Sequence, residues 1–270
     1  MEIRRYDIVE EFRAAADPLY RRDPVNSTIE LTVLHGTIPP VDPLLLIVCS
    51  DGAPVGAAMQ TPSRPLLSSG LPDHAIDSVV AEVARIRPEL SGVHGLCSAA
   101  RKFANAWQTA TGSEGTVGME QRLYRLGSLR PPIAVEGTHR MATDADSTLL
   151  DAWLTEFHRE ARGDVPREPR PRAAPIVLWE VHDAPVSLAA ARGPVAGVTR
   201  IGPVYTPVEL RGHGYGSAVT AAAAQWAFDA GAIDVVLFTD LANPVSNSIY
   251  QRIGFEPVSD WLRIDFPAGR

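Results

Sequence analysis

Gly212, Gly214 and Gly216 alternate within the stretch Val204-Tyr205-Thr206-Pro207-Val208-Glu209-Leu210-Arg211-Gly212-His213-Gly214-Tyr215-Gly216, and no other stretch constrains the fold as tightly. A β-branched approach breaks there into glycines. The Ala-rich run from Ser217 to Phe228 then has strong helix propensity until Gly231 stops it. A strand, a glycine loop and a helix in direct succession aim several unpaired backbone N–H groups and the positive end of the helix dipole at one point, where missing side chains let an anion come close. The loop reads as a pyrophosphate cradle. A Walker loop would end in Gly-Lys-Ser/Thr, whereas Gly216-Ser217 carries no lysine, and no acidic residue is clearly placed to hold a ribose as in dinucleotide folds.

Beyond the helix, Ile233-Asp234-Val235-Val236-Leu237-Phe238-Thr239 is a buried-strand run. It leads into Asp240-Leu241-Ala242-Asn243-Pro244-Val245-Ser246-Asn247-Ser248-Ile249-Tyr250-Gln251-Arg252-Ile253-Gly254-Phe255. Arg211-x-x-Gly214-x-Gly216 fits the Q/R-x-x-G-x-G/A signature of the GNAT superfamily of acyl-CoA N-acyltransferases. The downstream segment resembles that family's second signature, Asn-x-x-Ala-x-x-Leu-Tyr-x-x-x-Gly-Phe, with Asn243, Ser246, Ile249, Tyr250, Gly254 and Phe255 in the matching places. Only Ala-to-Ser and Leu-to-Ile depart from it. Tyr205-Thr206-Pro207 and Thr239-Asp240-Leu241-Ala242-Asn243-Pro244 look like the subgroup related to the C-terminal domain of glycine N-acyltransferases. The resemblance covers roughly residues 140–266.

The resemblance implies an α/β fold with a mixed sheet and acetyl-CoA as acyl donor. Val204, Tyr205 and Thr206 would hold the pantetheine and thioester by backbone amides. Arg211, Gly212, His213, Gly214, Tyr215, Gly216 and Ser217 would cradle the pyrophosphate, and Asn243, Ser246, Asn247 and Tyr250 would border the cofactor. His213 stands where the subgroup commonly has Arg; a neutral imidazole attracts phosphate less but still donates one hydrogen bond. Tyr250 matches the tyrosine that protonates the departing sulfur in many relatives, with packing beneath the cofactor as the alternative role. Asn243 matches a position that hydrogen-bonds near the cofactor or cleft. For a base, Glu209, Glu180, His182, Glu160, His158 and Asp240 are candidates, each with a solvated or capping role as the competing explanation; Asp240 and Glu160 rank first, and a water relay needs none of them. The acceptor would be an amine on a small molecule or protein, attacked directly in a ternary complex. A homodimer is one assembly open to the chain. A CoA-binding sensor or structural paralogue that has lost catalysis is the alternative function.

At 270 residues the chain suits one large or two small domains, each able to bury a core without disulfides, and two are favoured. A net charge of −7 argues against general nucleic-acid or anionic-membrane binding. Cys49 and Cys97 lie in separate apolar segments, cannot form a metal cluster alone, and read as buried reduced thiols. Met1-Glu2-Ile3-Arg4-Arg5 runs straight into charged residues, and no apolar run approaches membrane-spanning length, so a cytoplasmic protein is expected.

In order, the chain reads as a helix over residues 8–16, strands over 44–49 and 55–60, a helix over 75–85, an apolar segment at 93–97, a helix over 99–109 and a strand at 123–126. The second half repeats this order: a helix over 145–161, a hairpin over 176–191, a strand over 198–205, the loop and helix, a strand, the Tyr250 helix and a closing strand over 261–266. Asp51-Gly52-Ala53-Pro54-Val55 matches His182-Asp183-Ala184-Pro185-Val186 at an offset of 131, and Asn105-Ala106-Trp107-Gln108 matches Ser248-Ile249-Tyr250-Gln251 at 143. These matches point to tandem GNAT-like halves, a degenerate one over 1–130 and an acetyltransferase domain over 138–270, joined near Gly127-Ser128-Leu129-Arg130-Pro131-Pro132, with two unrelated α/β domains as the alternative. In the first half, Asp77-Ser78-Val79-Val80-Ala81-Glu82-Val83 stands at the place of the cradle, without glycine and with carboxylates. The Arg- and Pro-rich run over 162–172 reads either as a lid toward an acidic acceptor or the CoA phosphates, or as a solvated loop.

Overall fold

The computed structural model describes residues 1–36, 42–62, 64–162 and 174–267. In chain order the elements are β1 (Glu2–Tyr6), α1 (Val9–Tyr20), α2 (Thr28–Leu34), β2 (Leu44–Ser50), β3 (Ala53–Gln60), β4 (Leu66–Leu67), α3 (Ile76–Ile86), β5 (Gly92–Leu96), α4 (Cys97–Thr111), β6 (Thr116–Leu126), β7 (Thr138–Met141), α5 (Ser147–Arg162), β8 (Ile176–Val181), β9 (Ala184–Val195), β10 (Val198–Tyr205), α6 (Tyr215–Asp229), β11 (Asp234–Asp240), α7 (Pro244–Ile253) and β12 (Phe255–Asp265). Contacts divide them into two compact units. One comprises Met1–Leu123 with Thr239–Asn243 and Val258–Arg270; the other comprises Tyr124–Phe238 with Pro244–Pro257. The sequence-based division at 1–130 and 138–270 follows chain order, whereas this one follows compactness.

In the first unit β1, β2, β3 and β4 pair antiparallel in succession, β4 pairs parallel with β5, and β5 pairs antiparallel with β12, Trp261 opposite Leu96. Strand β2 is buried from Leu44 to Cys49, so its side chains are apolar on both faces. Helix α3 buries Ile76, Val79, Val80 and Val83, the spacing of one helical stripe. These residues share a core with Phe103 and Trp107 of α4 and with Phe266, whose ring stacks on Trp107 at 5.2 Å. Cys49 is buried and Cys97 partly so, both free. The stretch Asp77–Val83 is part of α3, so no loop stands there; the turn before that helix is Asp73–Ala75.

The second unit repeats the pattern. β7, β8, β9 and β10 pair antiparallel, and β10 pairs parallel with β11. The two hairpins agree in detail: β2–β3 shifts register between Val48 and Cys49, and β8–β9 shifts between Trp179 and Glu180, the same offset of 131 seen in the sequence. Asp51 and Gly52 in one turn and His182 and Asp183 in the other all have positive φ, as a two-residue hairpin turn requires. Asn105–Gln108 lies in α4 and Ser248–Gln251 in α7, each helix following a strand that pairs in parallel. Helix α6 buries Ala218, Ala221, Ala222, Ala223, Ala224 and Ala227; its small side chains let it lie close on the sheet over Val177, Ala189, Ile201, Val235 and Leu237. On the other face Leu150 of α5 packs with Leu178, Leu188 and Tyr205. Among the described residues no helix is long and apolar enough to cross a membrane.

Candidate functional site

The β10–β11 ladder runs from Val198↔Asp234 to Ile201↔Leu237 and stops, although β10 continues to Tyr205. On its other edge β10 changes register against β9 between Ile201 and Val204, a bulge at Gly202-Pro203. The end of β10 is therefore held from one side only. Ser187 Oγ donates to the Tyr205 carbonyl at 2.9 Å and lies 2.8 Å from Thr206 Oγ1, which anchors the strand end to β9. Val204 turns toward the α6 core, and Tyr205 turns to the opposite face beside Trp153 of α5, ring centroids 6.1 Å apart.

The cradle follows at once. Gly212 and Gly214 have φ of +88° and +85°, the left-handed region that L side chains rarely enter. Gly214 is the N-cap of α6, and no side chain caps it. The Ala218 N–H bonds the Gly214 carbonyl at 3.0 Å, which leaves the amides of Tyr215, Gly216 and Ser217 without an acceptor inside the helix. Those amides and the dipole suit an anion. A Cβ on Gly212 would meet nothing within 4 Å, whereas one on Gly214 would come 3.0 Å from Val135 Cγ2. A pyrophosphate fits this arrangement: an open glycine turn, an uncapped helix start and a strand end with one free edge.

Other predicted residues are placed less simply. The Arg211 guanidinium donates to the Thr206 carbonyl at 2.9 Å and to Glu160 at 2.6 Å, so it buckles the loop to β10 and α5. Glu160, a candidate base, is the other half of that ion pair. His213 is exposed and stacks on Tyr215 at 5.4 Å. Glu180 accepts from Arg140, which also binds Asp146 through two nitrogens, and His182 lies in the exposed hairpin turn beside Glu136. Glu209 is exposed in the turn before the loop, and His158 packs on α5 beside Phe157. Asp240 and Asn243 belong to the first unit, where Asp240 Oδ1 accepts the Ala242 N–H at 2.8 Å. The segment over 162–172 lies outside the described residues apart from the end of α5.

On α7, Ser246, Asn247 and Tyr250 are partly buried. The Tyr250 ring meets Phe255 edge-on at 6.1 Å and packs against the α6 core. Burial pushes its phenol up to about 12, so it stays protonated through the neutral range. Sequence reading missed Tyr124 and Val135. Tyr124 reaches α7 across 123 residues of chain, and Val135 sits in the linker, so neither carries a local signal.

Residues 138–255 match the family model Acetyltransferase (GNAT) family. No curated protein sequence matches the chain. Among solved structures, a GCN5-related N-acetyltransferase from Kribbella flavida is 20% identical, with a TM-score of 0.58 over 92% of this chain and 96% of the other. One from Sphaerobacter thermophilus is 14% identical, TM-score 0.62, over 99% and 96%. A tandem GNAT protein from the clavulanic acid biosynthesis pathway is 15% identical, TM-score 0.62, over 100% and 99%. Its description fits the repeated order of strands and helices in this chain. Residues 138–255 are thus similar in sequence to the GNAT acetyltransferase family, and nearly the whole chain is similar in fold to solved structures of GNAT proteins.

Proposed function

We propose that the protein is an N-acetyltransferase that moves an acetyl group from acetyl-CoA to a primary amine of a small molecule or protein, by direct attack in a ternary complex. One observation carries this reading: within a single unit, the free edge at the end of β10 leads directly into the uncapped, glycine-opened start of α6. Acyl-CoA supplies an activated thioester when bound. The amides of Tyr215, Gly216 and Ser217 would hold its pyrophosphate, with Gly212 and Gly214 giving access and Arg211 keeping the loop closed onto Thr206. Backbone groups at Val204, Tyr205 and Thr206 would align the pantetheine and the carbonyl. The protonated Tyr250 phenol would donate to the leaving sulfur.

For the base and the neighbouring polar contact, Asp240 and Asn243 are retained. The subgroup kinship with glycine N-acyltransferases rests on Tyr205-Thr206-Pro207 and the Thr239–Pro244 wording, and a cytoplasmic location and a homodimer belong to the same reading. The ion pair of Glu160 with Arg211 weighs against Glu160 as the base and supports the second reading, a CoA-binding sensor.

Calorimetric titration with acetyl-CoA, followed by thiol release against a panel of amines, separates the two. Amine-dependent release is expected, and Tyr250→Phe should lower kcat about 10²-fold while leaving the Kd for acetyl-CoA within twofold. Binding without release from any amine would support the sensor, and no binding would remove both readings.

A further inference from the structure

Tyr124, on β6, is wholly buried and has no place in the signatures read from the sequence. Its hydroxyl donates to Asn247 Oδ1 at 3.0 Å and accepts from Gln251 Nε2 at 3.1 Å. Asn247 and Gln251 are four residues apart and therefore lie on one face of α7, one above the other. The phenol thus grips the helix at two successive turns. Tyr250 lies about 60° around the helix from Asn247, at 3.6 residues per turn. It is carried by the same helix that Tyr124 holds, beside the gripped face, and all four residues belong to the second unit.

Apolar packing alone sets α7 loosely. Ile253, at its C-terminal end, is its one fully buried residue, while Ile249 and Tyr250 are partly buried and Val245 is 67% exposed. Hydrophobic contact is non-directional, whereas two hydrogen bonds on a buried hydroxyl fix a rotation. A turn of 20° about the axis would move a side chain by about 2 Å at the roughly 6 Å radius of a helix with its side chains. A misplacement of about 1 Å at a reacting group is enough to cost about 10²-fold in rate.

We propose that Tyr124 is the positioning residue for Tyr250, acting through Asn247 and Gln251 as a clasp that sets the rotation of α7. The proposal rests on the reading of Tyr250 as the proton donor. It gives Asn247 a task distinct from touching the cofactor. It also explains why a polar pair stands at 247 and 251 on a helix face that meets the buried Tyr124.

A double-mutant cycle in the full chain tests it: Tyr124→Phe, Tyr250→Phe and the pair, with kcat and KM measured on acetyl-CoA and the panel amine that supports thiol release. Tyr124→Phe should lower kcat 10- to 100-fold with KM for acetyl-CoA within twofold. The pair should be no slower than Tyr250→Phe alone. Losses that multiply, or a Tyr124→Phe variant with the original kcat, would overturn the proposal. Gln251→Met, which removes one arm of the clasp, should give a smaller loss of the same kind and covers the case in which Tyr124→Phe folds poorly. An acceptor-free readout separates this idea from the reading beneath it. In protein labelled with carbon-13 at the tyrosine ζ position, Tyr124→Phe should lower the titration midpoint of Tyr250 toward the ordinary phenol value as the ring leaves its buried seat. An unmoved midpoint rejects the clasp. A full-rate Tyr250→Phe rejects the proton-donor role while leaving the clasp to be judged by that midpoint.

Discussion

Gly212, Gly214 and Gly216 stand in one loop but meet different demands. Gly212 needs only its backbone conformation, since a Cβ there would point into open space. Gly214 needs both a left-handed φ and room beside Val135. Gly216 lies within α6, and its Cβ would stand 3.4 Å from Thr206 Oγ1, an ordinary contact. The expected order of tolerance follows. Gly216→Ala should keep acetyl-CoA affinity within about threefold and raise the melting temperature slightly, because alanine is favoured over glycine in a helix by about 1 kcal/mol. Gly214→Ala should lose about 1–2 kcal/mol from the left-handed conformation alone and weaken binding at least tenfold, about 1.4 kcal/mol. Calorimetry on the two variants checks this, and equal affinities would show that the loop is not the phosphate seat. Legibility at this scale was uneven. The alternation of glycines was plain in the sequence, whereas the attachment of Arg211 to Thr206 and Glu160 depends on a helix 51 residues away and has no local mark.

Elements with strong local signals were read well, and those defined by partners were not. The strand over 198–205 is legible at its true bounds because Ile201 and Val204 fill one face of a covered sheet and Tyr205 the other, and Pro207 follows at its end. β1 was missed because Glu2-Ile3-Arg4-Arg5-Tyr6 is too charged to stand out, and its pairing with β2 supplies the order. β7 and the two-residue β4 likewise exist through their neighbours. α2, Thr-Ile-Glu-Leu-Thr-Val-Leu, is β-branched and seven residues long, so propensity argued against it. One junction between elements carries a pH prediction. Asp146 precedes α5, is almost buried, and accepts from Arg140 and from the Thr143 N–H; these bonds hold its carboxyl far below the usual carboxylate range. A depressed folded-state pKa contributes stability above the unfolded value of about 4, and that contribution is lost as pH falls below it. The melting temperature should therefore begin to fall below about pH 5 and fall most steeply below pH 4, and Asp146→Asn should flatten part of that fall. Arg140→Ala should cost about 2–3 kcal/mol at neutral pH, since it removes hydrogen bonds to a charged group; thermal unfolding measures both.

For the whole molecule, the two units share an order of strands and helices but differ where one has its cradle. Beyond Leu66↔Val93 the first unit stays zipped: Leu67 pairs with His94, and the Ser68 N–H bonds the His94 carbonyl at 3.0 Å. Gly95 has no Cβ where one would collide with Ser68 Oγ, and Tyr20 lies 2.6 Å from where a Cβ on Gly70 would be. Among the described residues no strand end of the first unit is left with a free edge like that of β10. Acetyl-CoA should accordingly bind at one molecule per chain, and a calorimetric stoichiometry near two would show that the first unit keeps a site. The division of the chain has a further consequence, which concerns time. Strand β5 acquires its neighbour β12 only when residues 261–265 are available, though its own residues are made far earlier. At the usual 5–20 residues per second, the ~170 residues between them take roughly 10–30 s to synthesise. Throughout that interval the nascent first unit presents an unfinished sheet edge and lacks Leu262, Ile264 and Phe266 from its core. Ribosome-bound chains halted before Val258 should therefore be open to protease between β5 and α4 and should draw chaperones, however complete the N-terminal sequence already is.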